Sequence, residues 1–236
     1  KEKLDLAFNK KRADDRKKWL YEYDKQDILD YKEKKVNYED FINKDLIHFS
    51  VYDTGRSIPS FCDGLKISTR KILYSCFKRN LLKEIRVAQL AGYVSENANY
   101  HHGEKSLQDA IIGMAQNYIG SNNINVLMPN GQFGTRLQGG KDAASPRYIH
   151  TQLNSLALTI FSKEDLPILN YINDDGDIIE PEFYLPVIPM VLINGIIGIG
   201  TGFSCNIPCY NPEEILKIYK KLLKSEDITE SLKNIK

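Results

Sequence analysis

Within GGKDAASPRYIHT, residues 139–151, one tyrosine, Tyr148, stands beside an arginine, Arg147, directly after a loop rich in Gly, Ser and Lys. A phenol with an ordinary pKa of about 10 attacks phosphorus at neutral pH only where a cation or base stabilises the phenolate and the charge building on the phosphate. A planar guanidinium serves both purposes, because it grips two phosphate oxygens at once. These residue types in this order point to a phenol offered to a phosphodiester. An Arg-Tyr pair alone also fits a strand tyrosine beside a solvated arginine, so the reading rests on the surrounding sequence.

Two further chemical features accompany the pair. His101 and His102 fall in the turn ANYHHG, at the predicted start of a helix. Adjacent histidines suggest a metal site, but no other His, Cys or carboxylate lies at ligand spacing, and no metal site is expected in this chain. Backbone N–H groups at a helix N-terminus attract anions, and two imidazoles add donors, so phosphate recognition is the better reading. The charge distribution agrees. Net charge is only +1, yet Lys plus Arg against Asp plus Glu runs 13 to 12 over residues 1–50, 12 to 7 over 51–150, and 7 to 12 over 151–236. Between residues 56 and 86 the cations Arg56, Lys66, Arg70, Lys71, Lys78, Arg79, Lys83 and Arg86 face only Asp63 and Glu84. Such clustering is the footprint of a surface for a polyanion.

The elements that must position these groups follow from periodicity. Residues 1–48 alternate charge with sparse apolar anchors, Leu4, Phe8, Trp19, Leu20 and Ile28, as in amphipathic connector helices. Asn37 with Asp40 predicts a cap for a short helix carrying Phe41, Ile42, Leu46 and Ile47. Segment 64–79 turns Leu65, Ile72, Leu73, Cys76 and Phe77 toward a core and leaves Lys66, Arg70, Lys71 and Lys78 to solvent or phosphate. A second helix near 86–96 and a third after ANYHHG complete a helix-turn-helix. Strands are predicted around PNGQFG and the following GG turn, an order that describes a winged helix. TQLNSLALTIFSK reads as a core helix fixing the tyrosine strand, and Asn211-Pro212-Glu213-Glu214 opens a last helix. Residues 185–203 are apolar, but Pro186, Pro189 and four glycines favour buried strands and turns over a membrane helix. Four cysteines without a CxxC pair fit a reduced intracellular compartment.

Three motifs fail on inspection. The loop before Lys141 is no P-loop, because Asp142 holds the Ser/Thr position and Thr135 that of the first glycine. The run Asp174, Asp175, Asp177, Glu180 is no EF-hand, since Tyr171 stands where an Asp belongs, and it reads as a surface hairpin turn. Glycines 195, 198, 200 and 202 make no GxGxxG; they mark a tight strand turn presenting Ile197 and Ile199.

Six blocks carry a resemblance: RSIPSFCDGLK (56–66), CFKRN (76–80), VAQLAG (87–92), YHHGE (100–104), QFGTRLQGGKDAASPRYI (132–149) and IPMVLINGIIGIGTGFSC (188–205). In this order the chain resembles the breakage-reunion core of the eukaryotic-type, nuclear or large-DNA-virus, type IIA DNA topoisomerases. The resemblance implies an α+β fold: a connector, 1–48, from an absent upstream metal-binding (TOPRIM) domain; a winged-helix domain with the catalytic tyrosine, 49–186; and the start of an α/β tower (shoulder) domain, 187–236. It implies Tyr148 as nucleophile, with Arg147, His102 and Arg56 stabilising the transition state. Lys66, Arg70, Lys71, Tyr100, His101 and Lys141 would contact DNA, and Ile199 would wedge between base steps. Ile197 departs from the acidic residue that the resemblance leads one to expect there. Implied cofactors are Mg2+, held by carboxylates of the absent domain, and ATP, hydrolysed by an absent N-terminal one. Implied partners are double-stranded DNA and a second identical copy of the chain in a homodimer, without a membrane, in the nucleus or at a viral replication site. Two rivals remain: a non-catalytic winged-helix module and a recombinase-type tyrosine enzyme.

Overall fold

Local signals set the helix ends of the first compact unit, Lys1–Pro59 together with Ile197–Asn206. The computed structural model describes every residue except Glu33 and Lys236. Helices α1 (Glu2–Phe8) and α2 (Ala13–Tyr21) precede α3 (Tyr38–Phe41), which runs through one wider turn, Ile42–Leu46, into α4 (Ile47–Ser57). Asn37 caps α3 as its spacing predicts, accepting the Asp40 N–H at 2.8 Å. Helix α4 ends where Ile58 becomes extended ahead of Pro59, a geometry the proline ring imposes on its predecessor. The small core joins Leu6, Trp19, Leu20, Ile42 and Ile47.

The second unit, Ser60–Ile196 with Ile207–Lys236, holds the larger core. Helices α5 (Ile67–Lys78), α6 (Val87–Asn97) and α7 (Glu104–Ala115) fall where periodicity places them. Ile72, Leu73 and Cys76 of α5 meet Val87, Leu90 and Val94 of α6 and Leu107 and Ile111 of α7. Burial pushes the Cys76 thiol up to about 12, so it serves as an apolar packing group. Asn80 takes a left-handed φ of 50° and lets the Leu81 N–H return to the Cys76 carbonyl at 3.0 Å, which closes α5. Strand β1 (Ile85–Arg86) pairs antiparallel with β2 (His150–Thr151), and single bridges add Leu127 to Leu153 and Asn130 to His150.

Three expectations are corrected. Continuous strands around PNGQFG do not form, because Gly131 and Gly134 take φ of 119° and 98°, which no pleated strand accommodates. The predicted helix over TQLNSLALTIFSK shrinks to α8 (Ser155–Ile160), since Thr151 is held in the ladder and Asn154 caps the Leu156 N–H. Between the hairpin β3 (Tyr171–Asp174) to β4 (Asp177–Pro181) and the hairpin β5 (Ile196–Gly200) to β6 (Phe203–Ile207), residues 190–193 of the apolar run form one helical turn, α9 (Met190–Ile193), while residues 196–200 form the expected strand. The acidic turn is met as a hairpin. Asp175 and Gly176 both have positive φ, 51° and 97°, as a two-residue turn of the mirror-image type requires. Helix α10 (Pro212–Leu223) starts at the Asn211 cap, with Pro212, Glu213 and Glu214 in its first turn, and α11 (Thr229–Lys233) follows. No helix among the described residues is long and apolar enough to cross a membrane.

Candidate active site

Tyr148 sits on a turn rather than in a strand. Its N–H donates to the Ser145 carbonyl at 2.9 Å, and Pro146 fixes the backbone between them. The turn is clamped onto the start of α6: the Ala88 N–H donates to Pro146 O and the Val87 N–H to Ile149 O, each at 3.0 Å. Those amides have no partner within their own helix, so the turn satisfies the helix end while the helix end holds the turn. Ile149 is buried, which forces Arg147 and Tyr148 outward, and Tyr148 is 78% exposed. Burial drives the hydroxyl pKa values of Tyr184, Tyr74 and Tyr171 upward, away from the phenolate.

The preceding loop is a built structure. Gly140 N–H donates to Thr135 O at 2.9 Å and Ala144 N–H to Gln132 O at 2.9 Å. A Cβ on Gly134 would lie 2.5 Å from the Gly140 Cα, so only glycine permits this crossing. Asp142, the residue that spoils a P-loop, ties the loop shut: it accepts from the Thr135 N–H and hydroxyl, each at 2.8 Å. The backbone N–H of Thr135 is the main reason its carboxyl lies below the usual range. Between this loop and α7 lies a groove of about 420 Å³ lined by Lys105, Gln116, Lys141 and Ser145, among others. Lys141 is exposed there, shortly ahead of the Ser145–Tyr148 turn.

The histidines stand immediately before α7, whose N-cap is Gly103. Both are exposed. His102 packs edge-on against the Tyr100 ring, with centroids 5.3 Å apart and planes at 80°. Tyr100, expected to line DNA, is largely buried, and its ring supports His102. His101 Nε2 lies 4.0 Å from Asp174. Among the described residues no group of three or more His, Cys, Asp or Glu is placed to hold a metal ion.

The basic cluster divides. Lys66 is half-buried at the N-cap of α5. Arg70 and Lys71, expected at DNA, are buried in this structure, and each is paired with an acid. The Arg70 guanidinium forks onto Asp63 at 2.8 and 3.0 Å and also donates to Leu65 O at 2.9 Å. Asp63 accepts in addition from the N–H groups of Leu65 and Tyr184. Lys71 donates to Glu180 at 2.8 Å and to the Ala98 carbonyl at 2.6 Å. A buried charge persists only with such partners. Sequence reasoning missed Asp63 and Glu180 in this role; helical spacing marked the polar residues of α5, but not that Lys71 would be met by an acid 109 positions on.

In the first unit, the Arg56 guanidinium lies over the Tyr52 ring at 5.5 Å and 3.7 Å from Asp53. On β5 the glycines and isoleucines alternate. A Cβ on Gly198 would stand 2.6 Å from Ser57 O, and one on Gly200 2.9 Å from the Thr54 Cα. Ile197 and Ile199 face the other way, 67% and 77% exposed, as the glycine pattern implied. Ile199 is therefore no core residue.

Comparison with known proteins bears on this arrangement. Residues 56–236 match the family described as the A-subunit of DNA gyrase/topoisomerase IV, and residues 1–54 match the C-terminal associated domain of TOPRIM. The chain is 58% identical over 91% of its length to the probable DNA topoisomerase 2 of Dictyostelium discoideum. It is 55% identical over 97% of its length to the DNA topoisomerase 2 of Saccharomyces cerevisiae. It spans only 14% and 16% of those two relatives. A crystal structure of the Plasmodium falciparum topoisomerase II DNA-binding, cleavage and re-ligation domain superposes with a TM-score of 0.84 at 54% identity, covering 96% of this chain and 31% of that one.

Proposed function

Because this chain belongs to the DNA gyrase/topoisomerase IV A-subunit family, on its eukaryotic topoisomerase II branch, we propose that it is the part of such an enzyme that carries the DNA-cleaving tyrosine. The observation that carries this reading is the exposed Tyr148 beside Arg147 on a turn clamped to α6. The Tyr148 hydroxyl loses its proton and attacks a backbone phosphorus. A tyrosine-O–P bond forms, the P–O bond to the 3′ oxygen breaks, and that oxygen leaves as a hydroxyl after taking up a proton. The product is a 5′-phosphotyrosyl link; the reverse step reseals the strand without ATP, since the phosphodiester energy stays in the covalent bond.

Positioning and charge stabilisation supply most of such catalysis. Arg147 and His102 are assigned to the charge building on the phosphate, Arg56 to the same task from α4, and Lys66, His101 and Lys141 to neighbouring phosphates. Helices α5 to α7 with the short β1–β2 ladder form the winged helix of this reading, and Ile199 is its DNA wedge. By role, residues 1–48 are the connector, 49–186 the cleavage domain and 187–236 the start of the tower. Mg2+ would stabilise the leaving oxygen when bound, through carboxylates outside these residues. A homodimer acting on nuclear duplex DNA, driven by ATP, completes the assignment.

Tyr148→Phe in the full-length enzyme removes one hydroxyl and almost no volume. Duplex binding should persist and all covalent protein–DNA adduct should vanish. Adduct at the parent level would move the nucleophile elsewhere. A parent protein that never forms adduct would return the chain to a non-catalytic winged-helix module, and attachment to the 3′ end would favour a recombinase-type enzyme.

A further inference from the structure

The acidic residues of β3–β4 take no part in the reaction above, yet their partners converge on the turn that carries the histidines. Lys71 stands at the centre. Its ammonium donates at once to Glu180 on β4 and to the carbonyl of Ala98, the fully buried residue that ends α6. One residue on, Asn99 adopts a left-handed φ of 47°, and its side-chain N–H group reaches Asp174 at 3.3 Å and Asp177 at 3.5 Å. Tyr100 exchanges two hydrogen bonds with Ser95, each 3.3 Å: its N–H donates to Ser95 O, and its carbonyl accepts the Ser95 hydroxyl. His101 lies 4.0 Å from Asp174, and His102 leans on the Tyr100 ring. Ala98, Asn99 and Tyr100 are thus held by hydrogen bonds and His102 rests on the Tyr100 ring, and the ties at the start of the turn run through Lys71 and Asn99 to the β3–β4 hairpin.

We infer that Lys71 and Glu180 are positioning residues for His102. The ion pair is almost wholly buried, with side chains 10% and 2% exposed, so it does not reach a phosphate itself. It fixes the carbonyl from which the turn departs, and Asn99, in the left-handed conformation that asparagine readily adopts just after a helix end, passes that constraint on through its hydrogen bonds to Asp174 and Asp177. The inference rests on the reading of His102 as a donor to the charged transition state. A misplacement of about 1 Å in such a donor costs on the order of 100-fold in rate.

The test uses Glu180→Gln, which keeps shape and a hydrogen-bond acceptor, and the apolar double variant K71M/E180L, which removes both charges together so that neither is stranded. Single-turnover DNA cleavage by the full-length enzyme should slow about 10- to 100-fold in both, with duplex affinity within about threefold of the parent. The deciding measurement combines each variant with His102→Ala. Residues acting through His102 add nothing once it is gone, whereas a general structural role adds its full cost. Equal slowing in the His102→Ala background, or parent-rate cleavage by Glu180→Gln, would overturn the inference. E180Q alone decides the matter if the double variant does not fold. Parent-rate cleavage by His102→Ala would reject the role of His102 and this inference with it, while leaving Tyr148 to stand or fall by its own adduct assay.

Discussion

Arg70 shows most sharply how a residue type can be read from sequence and its partner missed. A cation on the polar side of an amphipathic helix invites assignment to phosphate, but its guanidinium is held by Asp63, which also receives two backbone N–H groups. Breaking a buried pair strands the remaining charge and costs about 3 to 5 kcal/mol. Arg70→Met should therefore lower the denaturant midpoint strongly, while the salt dependence of DNA binding, measured below the transition, stays as in the parent. A smaller salt slope in that variant would put Arg70 on DNA. The exposure of Arg147 and Tyr148 beside the buried Ile149, in contrast, follows from neighbours in sequence. Asp63 lies seven positions before Arg70, and Glu180 lies 109 beyond Lys71; pairings of that kind are made by the fold, and no local pattern announces the second.

At the scale of elements, signals that act within a few residues were readable and signals that need a partner were not. The Asn37 and Asn211 caps, the three helices α5 to α7 and the Asp175-Gly176 turn appear where sequence puts them. The helix over residues 151–163 was overestimated because Thr151 pairs with Ile85, a contact 66 positions distant. The hairpin β5–β6 gives an element-scale test. Ile199→Ala leaves the glycines that seat β5 on α4, so duplex bending read by end-to-end energy transfer should fall, cleavage with it, and binding less. Gly198→Ala should reduce bending too, by tilting the hairpin away from Ser57, whose carbonyl a Cβ would approach to 2.6 Å. Bending unchanged by Ile199→Ala would remove the wedge. The loop of residues 134–142 offers a pH test. Its tether is the Asp142 carboxylate, whose pKa is depressed below 3.8 chiefly by the Thr135 N–H. A carboxyl with a lowered folded pKa contributes stability that is complete above its unfolded value and lost as pH falls through the folded one. The Thr135 amide resonance should stay constant from neutral pH down to about pH 4 and shift only below it, and Asp142→Asn should abolish that shift. A shift centred near pH 6 would assign the tether to another group.

The whole molecule is nearly neutral, so the DNA binding proposed for it depends on how charge is divided and then partly cancelled. With Arg70 and Lys71 neutralised internally, the cations assigned to phosphate are Arg56, Lys66, Lys141 and Arg147. Each phosphate neutralised contributes about −0.9 to the slope of log K against log salt, so four contacts give about −3.6, and inclusion of the two buried cations would give about −5.4. The 236-residue chain should bind duplex DNA with the shallower slope. It should not cleave that DNA when Mg2+ is added, because the proposed reading assigns the carboxylates that hold the ion to a part of the enzyme outside these residues. Efficient cleavage by the chain alone would place the missing acids within it and reopen the division of labour. Binding with a slope near −5.4 would instead mean that DNA draws Arg70 and Lys71 out of their ion pairs, and the hairpin β3–β4 would then be a latch released by DNA.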